Sequence, residues 1–224
     1  MASFTKSSAS RMVKRWGLTK TFYFYFVRFF EKFLFWDGSL CLVYSGPLAG
    51  DDEDKSEAPN PSRVLTSEEV IAFSSDNPEL DMTPEMVRKA LERGDQCVGT
   101  IIDGQLVSYG WRAYDVTPHT EKIWVRVGPK AFYSYKGFTL REFRGRHIGE
   151  RGKYCGTEAL RQRGITSKQS FIASTNYSSL ASTKRGNLKH VGYAGHLHLF
   201  GKTICFRSPG AKRVGYEFFL HDEV

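Results

Sequence analysis

The sequence predicts a mixed α/β fold, and three local patterns carry this prediction. Two apolar, β-prone runs flank Asp103-Gly104, which is a strong turn signal between antiparallel strands. Residues 131–140 are aromatic and β-prone, and a helical pattern over residues 148–163 separates them from a short apolar run at 170–174. A strand–helix–strand unit implies a right-handed crossover and a parallel strand pair. Where such strands diverge, the gap at their carboxyl ends is the usual place for a ligand.

Composition indicates a globular chain with an anionic partner. The 224 residues suit one large domain, or one domain with an extension, and 41% of them are hydrophobic. The formal net charge of +8 favours a phosphorylated cofactor, a membrane surface or nucleic acid as partner. No nucleic-acid recognition motif is present, so nucleic acid is the least favoured of the three. The cysteines are widely separated and show no zinc-ligand spacing, which predicts reduced thiols; they are Cys41, Cys97, Cys155 and Cys205.

Residues 1–40 form a basic, aromatic-rich N-terminal segment for which we predict a helix. Its uncharged stretches are too short to span a bilayer. Five phenylalanines share one helical face: Phe22, Phe26, Phe29, Phe30 and Phe33. This face could lie on an anionic membrane surface, or it could pack on the domain core or on a partner subunit. The second interpretation is favoured, because aromatic stripes usually belong to a core.

Residues 41–224 are predicted to form the main domain, beginning with a strand at 41–44. An acidic, proline-containing loop follows at 51–62. Thr66 and Thr83 each have the pattern of a helix N-cap, and Pro84 suits the first helical position. Further along, residues 178–184 suit a helix, Gly192-Tyr193 is expected to end that region, and residues 196–206 indicate a last hairpin.

A glycine-bearing turn follows the strand at 131–140 and opens the helical pattern. It contains Arg144, Gly145, Arg146 and Gly149. Backbone N–H groups at a helix start are unpaired, and the helix dipole adds partial positive charge there. Glycines allow close approach of an anion, and arginines add fixed charge. The turn is therefore a candidate phosphate cradle.

This turn resembles the acyl-CoA pyrophosphate loop of the GNAT acetyltransferases, whose usual form is Arg/Gln-x-x-Gly-x-Gly/Ala. The matching residues run from Arg144 to Gly149, with His147 standing where the family usually has its first glycine. A second stretch, from Asn176 to Ser179, is similar to the Asn-x-x-Ser/Ala pattern of the same family. The alternative for Asn176 is a helix cap that has Ser179 as its local partner, and the two interpretations stay open.

The resemblance implies a GNAT-like fold: a mixed, mostly antiparallel central sheet with a splayed parallel strand pair and helices on both faces. It also implies an N-acetyltransferase that uses acetyl-CoA or another acyl-CoA and an amine acceptor, with no metal. The aromatic content suggests an amino sugar or an envelope precursor as acceptor. The residues that the resemblance assigns to the cofactor are Phe138, Thr139, Leu140, Arg144, Gly145, Arg146, His147, Ile148, Gly149, Asn176 and Ser179.

The sequence names no catalytic residue. The family often uses a glutamate reached through water as base and a tyrosine as acid, but Ser182 and Thr183 occupy the region where that tyrosine is expected. Tyr133 and Tyr135 are possible substitutes. His196 and His198 alternate on a predicted strand without a third ligand of suitable spacing, so we expect no metal site.

Two classes of function therefore remain at this point. The first is a cytoplasmic acyltransferase, in peripheral contact with the inner membrane surface if the aromatic helix binds lipid. The second is a non-catalytic basic binding module, for membrane or nucleic acid, that retains the fold. The sequence leaves a homodimer open.

Overall fold

The structure, a computed structural model, describes residues 6–33, 37–48, 61–146, 148, 152, 155–183 and 187–221. Its α-helices are α1 (Lys6–Trp16), α2 (Leu18–Phe33), α3 (Ser67–Asp76), α4 (Pro84–Glu92), α5 (Thr157–Gln162), α6 (Tyr177–Thr183) and α7 (Pro209–Arg213). Its strands are β1 (Asp37–Pro47), β2 (Ser62–Val64), β3 (Gln96–Ile102), β4 (Gln105–Ala113), β5 (Val116–Pro118), β6 (Ile123–Arg126), β7 (Ala131–Thr139), β8 (Ser167–Ala173), β9 (Lys189–Leu199), β10 (Lys202–Arg207) and β11 (Glu217–Leu220).

The described strands form an eight-stranded sheet and a smaller sheet. The large sheet has the order β10-β9-β1-β8-β7-β4-β3-β2, and the small one has the order β11-β6-β5. Neighbours in the large sheet are antiparallel except β7 and β8, which are parallel. The predicted fold class, a mixed and mostly antiparallel sheet with one parallel pair and helices around it, is confirmed.

The first strand, β1, completes the sheet far from its neighbours in sequence. It lies between β8 and β9, and Cys41 faces Ala173 on one side and Ala194 on the other. Its pairing with β8 runs over seven residue pairs, from Cys41↔Ala173 to Pro47↔Ser167. This long antiparallel contact fixes one edge of β8 and leaves the other edge to face β7.

Two apolar clusters cover one face of the large sheet. The first joins α3 and α4 to strands β3 and β4 around Trp111, which is fully buried. The second joins the small sheet to β1, β7 and β9 around Tyr216. A smaller cluster of Phe132, Leu160 and Ile165 holds α5. Arg112 and Ser134, which alternate along β4 and β7 with the core residues Trp111 and Tyr133, line the cleft described below.

Local signals placed several elements correctly. Thr66 and Glu69 form a reciprocal capping box at the start of α3, and Thr83 Oγ1 accepts from Met86 N at the start of α4. Asp103 and Gly104 both have positive φ, as the tight turn between β3 and β4 requires.

The predicted N-terminal helix is two helices, because Gly17 with φ of 86° interrupts the chain between α1 and α2. The strand expected at 41–44 begins earlier, at Asp37. The acidic loop predicted at 51–62 lies outside the described residues over 51–60. Among described helices, none combines the length and apolarity that crossing a bilayer needs.

Two further expectations on element bounds differ from the structure. The helix predicted over 148–163 is interrupted: Ile148 and Thr157–Gln162 are helical, whereas Cys155 and Gly156, with φ of 64° at Gly156, form a turn. Gly192-Tyr193 lies inside β9, because that strand pairs with β1 from Lys189 onward. The small sheet was not predicted as a unit, since two of its strands have three and four residues. The four cysteines are free thiols.

Candidate active site

The parallel strands β7 and β8 separate after a short contact. They pair at Ala131↔Ser167, Phe132↔Lys168 and Tyr133↔Gln169. Beyond these pairs β7 continues along β4 to Thr139, and β8 continues along β1 to Ala173. The two strands therefore splay, and residues 134–139 and 170–173 form the edges of a gap that opens toward their carboxyl ends.

A β-bulge in β7 accompanies the splay. Tyr109 faces Phe138 and Trp111 faces Tyr135, so two steps along β4 correspond to three steps along β7. Lys136, within the bulge, has a positive φ of 44°. An extra residue bends a strand and increases its twist. The bulge thus provides a local cause for β7 to turn away from β8.

Beyond the bulge, β7 presents main-chain groups to the gap. Leu140 N donates to Val107 O at 2.9 Å, so the backbone of Leu140 is turned toward β4. Successive residues of a strand point their backbone groups to opposite sides, so Thr139 directs its N–H and C=O toward the gap. Thr139 O accepts from Arg144 Nε at 2.9 Å. An edge of this kind can receive an extended, amide-bearing ligand as if it were another strand.

A cleft of about 960 Å³ lies beside the gap and is strongly basic. Four cationic side chains take part in its lining, while the described lining residues include no aspartate or glutamate; the four are Arg15, Arg112, Arg144 and Lys168. Small residues keep the floor open, among them Ser108, Ser134 and Gly137. Positive charge without a compensating carboxylate in a walled cleft attracts anions.

Arg112 is the buried cation of this cleft. Its side chain is 4% exposed, and Nη2 donates to Gly152 O at 3.0 Å and to Cys155 O at 2.8 Å. Its guanidinium carbon lies 5.2 Å from the centroid of the Phe132 ring. Burial lowers the pKa of Arg112, because loss of hydration disfavours the charged guanidinium. The arginine holds the segment after the turn against the sheet.

The predicted phosphate turn lies at the mouth of the gap. Arg144 is exposed and bends back so that its guanidinium carbon lies 5.8 Å from the Phe138 ring centroid. Gly145 has φ of 81°, and a Cβ there would meet no atom within 4 Å. An anion can therefore approach the main chain at Gly145. Two predicted members of the turn, His147 and Gly149, lie outside the described residues.

The structure gathers some of the predicted cofactor residues and separates others. Those that take part in lining the cleft are Phe138, Thr139, Arg144, Gly145 and Ser179. Leu140 is buried in the core, and Ile148 packs on the same apolar cluster. Arg146 lies with its guanidinium carbon 5.4 Å from the Phe143 ring centroid.

Asn176 has contacts of a helix cap. Its Oδ1 accepts from Ser179 N at 3.2 Å and from Ser178 Oγ at 3.0 Å. These are the contacts that the capping alternative describes, and they start α6 at the carboxyl end of β8. Asn176 thereby places Ser178 and Ser179 along the cleft.

Neither tyrosine considered as a catalytic acid takes part in lining the described cleft. Tyr133 lies in an aromatic cluster, stacked at 5.8 Å on Phe171. Tyr135 donates from its hydroxyl to Asp95 Oδ2 at 2.7 Å, and Arg93 pairs with the same carboxylate at 2.8 Å. Burial raises the pKa of both tyrosines and of Asp95. This polar cluster anchors Tyr135 at the point where the strands separate.

The N-terminal arm, defined as residues 6–33, docks at the carboxyl end of β8. Trp16 packs on Tyr177 with ring centroids 6.0 Å apart, and Tyr177 donates from its hydroxyl to Lys20 O at 2.8 Å. The hydroxyls of Tyr23 and Ser174 are 3.0 Å apart. These contacts bring Arg15 to the cleft. Sequence reasoning missed Arg15, Lys168, Arg112 and Asp95, because tertiary packing alone brings them to this region.

The two histidines considered as a metal pair lie on β9. His198 Nδ1 is 2.9 Å from Thr203 Oγ1 of the neighbouring strand. His196 is buried, with its ring centroid 6.0 Å from that of Phe218. The described part of the chain contains no group of three or more histidine, cysteine, aspartate and glutamate residues that could hold a metal ion.

Comparisons with known proteins give likenesses in structure. No family model matches the chain, and no curated protein matches it. A conserved protein of unknown function from Staphylococcus epidermidis has a TM-score of 0.48 at 10% identity, over 76% of this chain and 65% of its own. A GNAT-family acetyltransferase from Colwellia psychrerythraea has a TM-score of 0.45 at 12% identity, and the match covers 77% of this chain and 56% of that one. A GCN5-related N-acetyltransferase from Kribbella flavida has a TM-score of 0.45 at 15% identity, and the match covers 81% of this chain and 63% of that one.

In each of these three comparisons the aligned part spans less than two thirds of the other chain. The TM-scores are below 0.5 and the identities below 25%, so neither a shared family nor a shared activity follows from them. The mixed, mostly antiparallel sheet with the parallel β7–β8 pair is the architecture that the resemblance in sequence implied.

Proposed function

We propose that this protein is an N-acyltransferase that transfers an acyl group from an acyl-CoA thioester to an amine. The observation that carries the proposal is the splayed β7–β8 pair, which opens beside a basic cleft whose described lining contains no acidic side chain. An acyl-CoA combines an extended amide-bearing arm with phosphate groups. The gap offers main-chain groups to the first, and the cations offer charge to the second.

The residues of the cleft suit this ligand in detail. Thr139 directs its backbone toward the gap, where it can pair with pantetheine amides. Arg144 and the open main chain at Gly145 suit the diphosphate, since a guanidinium and backbone N–H groups are common phosphate donors. The thioester supplies an acyl carbon that an amine can attack without prior activation of the acid.

The chain would accelerate transfer chiefly by positioning. Ser134 and Gly137 border the gap beside the bulge and leave space for an acceptor next to the acyl carbon. In the transfer the amine nitrogen forms a C–N bond, the C–S bond breaks, and the proton lost by nitrogen balances the thiolate that leaves. Tyr133 and Tyr135 have buried hydroxyls and are assigned no part in this proton transfer.

The first test is a thermal shift with acetyl-CoA. A ligand that binds the folded state stabilises it by mass action, and a concentration 100 times the dissociation constant contributes about 2.7 kcal/mol. For a chain of this length that corresponds to a rise in Tm of roughly 5–10 °C. AMP at the same concentration is the control, because it lacks both pantetheine and diphosphate. No shift with acetyl-CoA would contradict the proposal.

The acceptor is proposed to be the amine of an amino sugar or an envelope precursor. Aromatic residues in the lining, among them Phe132 and Phe138, suit a ring-bearing acceptor. We expect glucosamine to be acetylated at least about tenfold more efficiently than ethylamine, a difference of about 1.4 kcal/mol. Release of free thiol from acetyl-CoA measures this, and equal rates would count against the ring-bearing class.

A second candidate partner, an anionic lipid surface, is favoured by the outer face of α2. The arm docks through Trp16 and Tyr23, and this leaves a row of apolar side chains exposed on the other side; they are Leu18, Phe22, Phe26 and Phe29. Leu18 is 74% exposed and Phe22 is 70% exposed. Arg28 on the same helix supplies positive charge. An exposed apolar row with basic neighbours is typical of a helix that lies in the lipid interface.

Replacing Phe22 with glutamate is expected to weaken binding to liposomes that contain 30% phosphatidylserine by about tenfold or more. The change removes an apolar ring that would enter the lipid interface and adds a repulsive charge, worth together about 2 kcal/mol. Thr19→Glu is the matched control, because Thr19 is exposed on α2 and the substitution changes net charge equally. Co-sedimentation measures the binding. Equal loss in the two variants, or no binding by the wild type, would contradict a role for the apolar row.

A further inference from the structure

The N-terminal arm contributes a cation to the cleft from outside the main sheet. Arg15 takes part in the lining, although it lies on α1 and far in sequence from the strands that form the gap. Its guanidinium carbon is 4.9 Å from the centroid of the neighbouring Trp16 ring. Trp16 in turn packs on Tyr177, the first residue of α6. Arg15 is thus held at the cleft by an aromatic contact with the domain.

Arg15 and Arg144 belong to opposite sides of the mouth of the gap. Arg144 donates to Thr139 O, at the carboxyl end of β7. Arg15 lies beside α6, which starts just after the carboxyl end of β8. Because the two strands are parallel and diverge, their carboxyl ends are separated across the mouth. Two cations on opposite sides of the mouth suit a ligand that carries two anionic groups.

We propose that the arm forms part of the acyl-CoA site and that Arg15 binds the 3′-phosphate of the cofactor. This inference rests on the proposed function. An acyl-CoA carries two separate phosphate groups, a diphosphate next to the pantetheine arm and a phosphate monoester on the ribose. The turn at Arg144 and Gly145 takes the first, and Arg15 across the mouth takes the second. A phosphate monoester carries more charge than each phosphate of a diphosphate, and a planar guanidinium can bind two of its oxygens.

The docking contacts give the arm a defined position without burying Arg15. The Arg15 side chain is exposed, while Thr21 on the next helix is buried and donates to Gly17 O at 2.8 Å. Lys20 lies with its Nζ 5.6 Å from the Tyr177 ring centroid and strengthens the same contact. An arginine that is accessible, and whose backbone is fixed by neighbours, loses less freedom on binding than one on a free chain.

The test compares acetyl-CoA with 3′-dephospho-acetyl-CoA on the full chain by isothermal titration. Removal of the 3′-phosphate is expected to raise the dissociation constant of the wild type about tenfold. Arg15→Ala is expected to show the same loss with acetyl-CoA and no further loss with the dephospho ligand. Trp16→Ala, which removes the aromatic contact, is expected to behave like Arg15→Ala. Lys14→Ala is the control, because Lys14 is exposed on α1 and is not among the described lining residues.

Each outcome is decisive. If the wild type and Arg15→Ala bind the two ligands with the same ratio of dissociation constants, the assignment of Arg15 to the 3′-phosphate is overturned while the acyl-CoA site stands. The same holds if Lys14→Ala reproduces the loss, since the effect is then one of general charge. If the wild type binds neither ligand, the proposed function fails together with this inference.

Discussion

Replacing Arg144 with glutamate is expected to weaken the binding of acetyl-CoA by about 100-fold, or about 2.7 kcal/mol. The change removes the proposed charge-assisted contact to phosphate and places a carboxylate in the lining of a basic cleft. It also removes the hydrogen bond that Arg144 donates to Thr139 O at the edge of the gap. Isothermal titration at 0.15 M salt measures the loss, and circular dichroism confirms that the variant is folded.

Arg141→Glu is the matched control for this charge reversal. Arg141 is exposed in the single 3₁₀ turn Arg141–Phe143 just before Arg144, and it is not among the described residues that line the cleft. Its substitution changes net charge by the same amount, and screening limits its effect at a distance to about threefold. Equal losses in Arg141→Glu and Arg144→Glu would show that general charge, and not the turn, governs binding.

The second large effect is expected at Gly195, where β9 passes β1. A Cβ at this position would lie 2.0 Å from Ser39 O, a backbone atom of the neighbouring strand. The oxygen cannot move without breaking the pairing between Leu40 and Gly195. We therefore expect Gly195→Ala to lower the free energy of unfolding by about 3 kcal/mol or more. The corresponding fall in Tm, roughly 6–12 °C for a chain of this size, can be measured by calorimetry.

Gly137→Ala is the control for this substitution, because a Cβ there meets nothing within 4 Å and the backbone has no positive φ. Its stability is expected to stay within about 1 kcal/mol of the wild type. A Gly195→Ala variant as stable as Gly137→Ala would show that β1 does not lie against β9. The edge of β8 that faces away from the gap would then lack the support described above.

Local chemistry made the hairpin and the helix caps readable from sequence. Asp103-Gly104 forms a turn because few other residue pairs accept positive φ at both positions, and Thr83 caps a helix through its own hydroxyl. The position of β1 between β8 and β9 was not readable, because pairing between distant strands leaves no local pattern. The position of Arg15 at the cleft was not predictable for the same reason, since it depends on the contact between Trp16 and Tyr177.

Among the site residues, too, those in local motifs were predictable and those brought in by tertiary packing were not. Arg144 and Gly145 were predicted from a short motif, and both take part in lining the cleft. For Asn176 the sequence left a cofactor role and a helix cap open, and its contacts in the structure are those of a cap for α6. Asn residues serve in both roles, so a sequence pattern alone does not separate them. Arg112 gave no signal in sequence, since a lone arginine inside a β-prone run predicts nothing about burial.

The most direct measurement is a crystal structure of the protein with CoA bound. We predict that pantetheine lies between residues 134–139 and 170–173, with an amide bonded to the main chain of Thr139 and the diphosphate against Arg144 and Gly145. CoA bound outside this gap, or β7 and β8 paired continuously to Ala173 with no space between them, would contradict the proposed acyltransferase site.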